Sequence, residues 1–221
     1  MKKTTIHYCA LLLCLCSLNI GCKWYFEKHV DNCDGDVDFA QYEFHLPFTF
    51  IPAQDTFRIN DTITLQAHFS DLLLDSLSLK YYRAENIVFE CAASLSKIDT
   101  LASFLPLYAF TYEVVTGGIF AESIGDGFMI KFDYEEGVYK FEVNIVPQKT
   151  GLYAFNLSSL ALQEVDFQQH CRDESMNVFF SLNNGEENNY HLLSLSPEQV
   201  WSNMSFYDVN RLGIYVFHVV E

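Results

Sequence analysis

From Gln41 to Ile51 the chain reads QYEFHLPFTFI, and Tyr42, Phe44, Leu46, Phe48 and Phe50 fall at every second position. A period of two places such residues on one face of a half-buried strand. Pro47 lies inside the run, so an edge strand or a bend is expected there. The pattern returns in DTITLQAHF, with Ile63, Leu65, Ala67 and Phe69 inward and Thr62, Thr64, Gln66 and His68 outward. Further strands are expected at Ile87–Ala92, Tyr108–Val115 and Phe128–Tyr134.

Three segments then echo one another: GVYKFEV from Gly137, GLYAFNL from Gly151 and GIYVFHV from Gly213. In each, glycine leaves a turn, and the tyrosine, phenylalanine and last aliphatic residue point one way into a core. The intervals between copies are unequal, which excludes a solenoid. PQKTG joins the first two copies and reads as a turn. Helical signals are few. Residues 197–206, PEQVWSNMSF, predict one short helix, with Ser196 as cap, Pro197 at the first position and Gln199 completing a capping box. Val200, Trp201 and Met204 would form its apolar face. DLLLDSLSL and SKIDTLASF fit either short helical turns or irregular connections. SLNNGEENNY is a polar loop whose Asn184-Gly185 is a hairpin signal.

Many short strands separated by turns predict an all-β antiparallel sandwich. Two stretches resemble immunoglobulin-like bacterial modules. FRINDTITLQAHFSD is similar to their early strand pair. KTGLYAF is similar to the late strand that carries a tyrosine corner, with Tyr153 in the corner position. The resemblance implies an immunoglobulin-like sandwich spanning residues 39–221, with Leu72 to Phe128 as an elaboration.

Ahead of these strands, Lys2 and Lys3 precede an uncharged run from Tyr8 to Ile20, the layout of a secretory signal. The run is too short to span a membrane as a helix, which takes about 20 residues. It ends in Leu18-Asn19-Ile20-Gly21-Cys22, which resembles the lipobox of bacterial lipoproteins, with Ile20 bulkier than usual. The other reading is an ordinary signal peptide with a chance cysteine. The resemblance implies removal of residues 1–21 and attachment of diacylglycerol to Cys22. It also implies N-acylation of the new terminus, an acidic tether over residues 22–38, and a palmitate-type anchor in a membrane. Lys23, where an aspartate would favour inner-membrane retention, implies the outer membrane. The side faced is left open.

Charge narrows the partners. The chain carries 13 basic and 29 acidic residues, a net charge of −16. Loss of Lys2 and Lys3 makes the remainder more acidic still. Such a domain is expected to repel nucleic acid and anionic membrane surfaces. In an oxidising compartment one disulfide is expected. Cys33 and Cys171 stand in polar surroundings and form the candidate pair. Cys91 lies in IVFECAAS and reads as a small buried hydrophobe.

The sequence holds no G-x-S-x-G, H-E-x-x-H or phosphate-binding loop, and no cysteine pair with zinc spacing. Asp31, Asp34, Asp36 and Asp38 form an acidic run, but their order does not match a calcium loop. No metal or cofactor is assigned, and His29 and His170 read as surface residues. Asp61-Thr62-Ile63, Asp75-Ser76-Leu77 and Asp99-Thr100-Leu101 resemble a pattern that some bacteria O-glycosylate. The leading expectation is a non-enzymatic binding or assembly lipoprotein of the cell envelope, with a protein partner. The alternative is a glycan-binding lipoprotein of an uptake system, with Trp24, Tyr25, Trp201 and Tyr207 as stacking rings. A third reading, a hydrolase, requires paired carboxylates in a pocket, one of raised pKa.

Overall fold

The computed structural model describes residues 38–85, 87–100, 109–121, 127–158, 160–163, 172–186 and 188–221. Two β-sheets stack face to face. The first contains β1 (Asp38–Ile51), β3 (Ile63–Ser70), β7 (Phe110–Thr116), β10 (Asp133–Glu135), β11 (Val138–Pro147), β13 (Leu160–Gln163) and β14 (Arg172–Leu182). Its order is β10-β11-β3-β1-β14-β13, with β7 also paired to β11. The second sheet contains β2 (Thr56–Arg58), β6 (Glu90–Lys97), β8 (Gly118–Ala121), β9 (Gly127–Lys131), β12 (Gly151–Ser158) and β15 (Ile214–Val220). Its order is β2-β15-β12-β6-β9-β8. A separate hairpin pairs β4 (Leu72–Leu74) with β5 (Tyr81–Arg83).

The all-β sandwich is as expected, but the sheets are mixed rather than purely antiparallel. β1 runs parallel to β14 from Asp38↔Arg172 to Phe48↔Leu182, and β15 runs parallel to β2. Pro47 consequently sits in a strand with neighbours on both sides. The N–H of Phe50 points to the β14 side, where it donates to Asn183 Oδ1. By alternation, the donor missing at Pro47 would face the opposite side. There β1 has only the bridge Phe44↔Asp75 before its ladder with β3 begins at Thr49. The proline costs no ladder bond.

The inward residues of both sheets interlock as an aromatic core. Tyr42, Phe44, Leu46, Phe48 and Phe50 are buried, as are Ile63, Leu65, Ala67 and Phe69. Phe50 stacks on Tyr215 at 4.3 Å and meets Phe155 edge-on at 5.1 Å, which joins the sheets. Phe48 meets Phe132 and Phe180 edge-on in the same layer. Such ring pairs add about 0.5–1.5 kcal/mol beyond the area they bury.

The three repeated segments are β11, β12 and β15. Their tyrosines, phenylalanines and final aliphatics are all buried, and their leading glycines all have positive φ. A buried phenol needs a hydrogen-bond partner, and each tyrosine has one in the backbone. Tyr139 donates to Ala84 O and Ile87 O, Tyr153 to Lys149 O, and Tyr215 to Gln54 O. The Tyr153 bond, 3.1 Å long and four residues back, is the tyrosine-corner geometry. Burial pushes the Tyr153 phenol up to about 12.

In place of one helix over 197–206 there are two, α1 (Gln199–Ser202) and α2 (Phe206–Arg211). Ser196 does not cap the first; its hydroxyl donates to Ile98 O at 2.6 Å. The capping box is formed one helix later by Ser205 and Asp208. Together with a 3₁₀ turn at Tyr190–Leu195, the helices cover the outer face of β12 and β15. A second core lies there, built on Ile98, Leu152, Leu193, Val209, Ile214 and Val216. Asn184-Gly185 belongs to a 3₁₀ turn rather than a β-hairpin.

Replacing Tyr153 by phenylalanine removes the corner bond and keeps the ring. Urea unfolding is expected to show a loss of about 1 kcal/mol with an unchanged m-value.

Candidate functional site

A groove of about 370 Å³ runs along the outer face of β1 and β14 beside α2. Glu43 and His45 reach it from β1, Phe179 and Ser181 from β14, and Tyr207, Asn210 and Arg211 from α2. The strand residues are the outward partners of the alternating core positions. The His45 ring stacks on Phe179 at 5.4 Å and 22°. Tyr207 is 70% exposed and supplies a free-standing aromatic surface.

An asparagine-rich loop sets α2 over the groove. Asn183, Asn184, Asn188 and Asn189 all adopt left-handed backbone, which asparagine tolerates better than most residues. Asn183 accepts from Phe50 N–H with its Oδ1 and donates to Asn188 Oδ1. Asn188 donates to Leu182 O and to Asn210 Oδ1, and Asn210 donates to Gly185 O. Asn189 donates to Gln54 O and Val216 O. Each amide fills the partner requirement of another buried group, so strand ends and helix are fixed together.

Glu43 is the carboxylate of the groove among its described lining residues. Its Oε1 accepts from the Ser76 hydroxyl and from His45 Nε2 at 3.0 Å. Those two hydrogen bonds hold its pKa below the ordinary carboxylate value. Behind it, the Asp75 carboxylate is buried. Burial would raise its pKa. The Ser78 hydroxyl and the N–H groups of Glu43, Ser78 and Leu77 more than offset this and leave it lowered. Both groups favour the charged state, so the groove carries an ionised glutamate, and Arg211 is a separate part of its lining.

The other candidate residues divide clearly. Of the four proposed stacking rings, Tyr207 lines the groove, while Trp201 packs partly buried against the second core. Trp24, Tyr25, Cys22 and Cys33 precede the described residues, and Cys171 also lies outside them. Cys91 is buried and free, as its apolar context implied, and burial pushes its thiol pKa far up. Of the sequons, Thr62 is exposed, whereas the Ser76 hydroxyl is engaged with Glu43. No group of three metal-ligating side chains occurs among the described residues. Glu43, His45 and Phe179 were not singled out by sequence, because outward strand positions carry no signature of their own.

No family model and no curated protein matches the chain. Among solved structures it is similar to a non-cellulosomal cohesin from the hyperthermophilic archaeon Archaeoglobus fulgidus. That likeness is 9% identical and covers 69% of this chain and 98% of the cohesin, with a TM-score of 0.25. PbICP-C, solved in complex with falcipain-2, is 8% identical over 67% of this chain and 95% of its own, with a TM-score of 0.23. The CupB6 tip adhesin from Pseudomonas aeruginosa is 13% identical over 65% of this chain and 40% of its own, with a TM-score of 0.20. Likeness at that level carries no functional argument, and function is read from the groove itself.

Asp75→Asn keeps the shape of the side chain but turns an amide toward the Ser78 donors. A loss of about 1–3 kcal/mol at neutral pH is expected. Because the folded pKa is depressed, the contribution of the wild-type carboxylate is full above its unfolded pKa of about 3.9. It is lost as pH falls through the lower folded value. Urea melts from neutral pH into acid should therefore converge for the two proteins at the acid end.

Proposed function

We propose that the chain is an outer-membrane lipoprotein, held through Cys22, whose sandwich is a non-enzymatic binding or assembly module of the cell envelope. The observation that carries the binding reading is the groove. It is open to solvent, it combines exposed Tyr207 and the Phe179–His45 stack with polar heads, and it is fixed by buried amides. Preformed clefts with an apolar wall and a few placed polar groups are suited to binding. Paired-carboxylate hydrolysis asks for a second acid and a raised pKa, whereas Glu43 is held low. The occupant is a segment of an envelope protein.

Extraction in mild detergent, sizing and mass spectrometry test this reading. The acylated Cys22 peptide should be found, and the protein should co-migrate with a partner that Tyr207→Ala and Arg211→Ala release. An unmodified Cys22 in protein taken from the membrane would end the anchor reading. Migration alone would end the assembly reading.

The exposed Tyr207 ring favours a second reading, a glycan bound in the same groove, its apolar face on the ring and its hydroxyls on Glu43, Asn210 and Arg211. A glycan array probed with the wild-type domain, and binding abolished by Tyr207→Ala, would support it.

A Cys33–Cys171 disulfide belongs to the same proposal. It is supported by the polar sequence surroundings of the two cysteines, both of which lie outside the described residues. Non-reducing peptide mapping should recover the pair linked. Free thiols at both positions would reject it.

A further inference from the structure

The β4–β5 hairpin shows apolar side chains to solvent although it is firmly held. Leu73 is buried, and Tyr82 packs edge-on against Tyr42 at 4.8 Å. At its base Arg83 donates to both Asp71 oxygens at 3.0 Å, and Tyr134 donates to Asp71 Oδ2 at 2.9 Å. Near its tip the Asp75 carboxylate receives the Glu43, Leu77 and Ser78 N–H groups. With the hairpin fixed in this way, Leu72, Leu74, Leu77, Leu79 and Tyr81 face outward, between 44% and 74% exposed. Leu79, the most exposed of them, also has φ of +57°. A bulky residue in left-handed backbone costs stability, where asparagine or glycine would not. Apolar surface kept at such a cost points to something that covers it.

Two observations identify the cover. The first is charge. Both acids of the hairpin, Asp71 and Asp75, are buried; Arg83 is paired with Asp71, which leaves Lys80 as the cation of its outer surface, with Glu85 exposed just beyond it. In a chain with 29 acidic and 13 basic residues, a hairpin whose outer surface carries leucines, a tyrosine and Lys80 but no exposed acid of its own is a local exception. That composition matches a bilayer interface, where leucine enters the acyl boundary, tyrosine sits at headgroup level and cations meet phosphate. The second is direction. The Phe44↔Asp75 bridge is antiparallel, so β4 runs against β1, and Ser76 N–H donates to Glu43 O one step nearer the start of β1. The tip therefore points to the end at which the chain enters the domain. From Glu43 back to Asp38 is about 17 Å of strand, and an extended chain from Cys22 to Asp38 reaches about 55 Å. An anchor at Cys22 leaves ample length for the tip to touch the membrane that holds it.

We propose that the β4–β5 hairpin is a membrane-contacting element that seats Leu74, Leu77, Leu79 and Tyr81 in the lipid surface beside the N-terminal anchor. The proposal rests on the anchor reading above. Seating would orient the domain on the bilayer. It would also place the groove near the headgroups, since Ser76 of the hairpin bonds Glu43 of the groove.

The test is hydrogen exchange on the purified protein in vesicles of phosphatidylethanolamine and phosphatidylglycerol, with mass analysis of Cys22 in the same sample. Exchange across residues 72–83 is expected to slow several-fold on vesicles relative to protein free of lipid and detergent. Leu77→Ser/Leu79→Ser should remove the protection without changing the thermal midpoint. Leu79→Asn should remove part of it while the midpoint holds or rises, which a purely structural leucine would not allow. If Cys22 proves unmodified, the same comparison on vesicles carrying the chain through an N-terminal histidine tag and a nickel-chelating lipid separates the two claims. Protection there keeps the hairpin proposal although the anchor reading fails. Equal exchange on and off vesicles overturns it. Protection that appears only with a co-purifying protein also overturns it, in favour of a protein interface.

Discussion

The parallel ladder between β1 and β14 is the constraint on which the other parts depend. It joins residues more than a hundred positions apart and brings the early strands of the first sheet to the late ones. Its inner face supplies Tyr42, Phe44, Leu46 and Phe48 from one strand and Met176, Val178 and Phe180 from the other, all buried. Its outer face supplies both sides of the groove floor. A ladder of this kind repays the entropy of closing so long a loop only after many pairs have formed. Core and candidate site thus share one ladder, the inner face serving the first and the outer face the second.

Polar groups then decide what the apolar layers leave open. The asparagine loop satisfies the N–H of Phe50 at the end of β1 and the amides that hold α2. Asp71 and Asp75 do the same for the hairpin. No buried side-chain nitrogen or oxygen among the described residues lacks a partner. Buried polar networks that are fully satisfied rigidify the backbone around them. Here they do so at two places where the described chain leaves regular strand, the asparagine loop and the hairpin.

Alternation made the strands legible, because an inward face has to be apolar at every second residue. Tyr42 to Phe50 and the three glycine-led repeats took their expected faces for that reason. Strand partners were not legible, since pairing is non-local, and the parallel β1–β14 ladder left no trace in either segment. The hairpin was obscured by leucines on both of its faces, Leu73 inside and Leu72 and Leu74 outside, which blurs a period of two. In the groove, Tyr207 was visible as an aromatic residue in a polar context. Trp201 looked equivalent, but the second core under α1 absorbs it. His45 and Phe179 became neighbours only through the ladder register, which pairs them.

The parallel ladder also determines how the domain bears mechanical force. A pull on the chain ahead of Asp38 acts along β1, while its hydrogen bonds to β14 lie across that line. Every rung of the ladder is then loaded together in shear, and none can be peeled open ahead of the next. A load applied at that end of the domain meets its longest ladder.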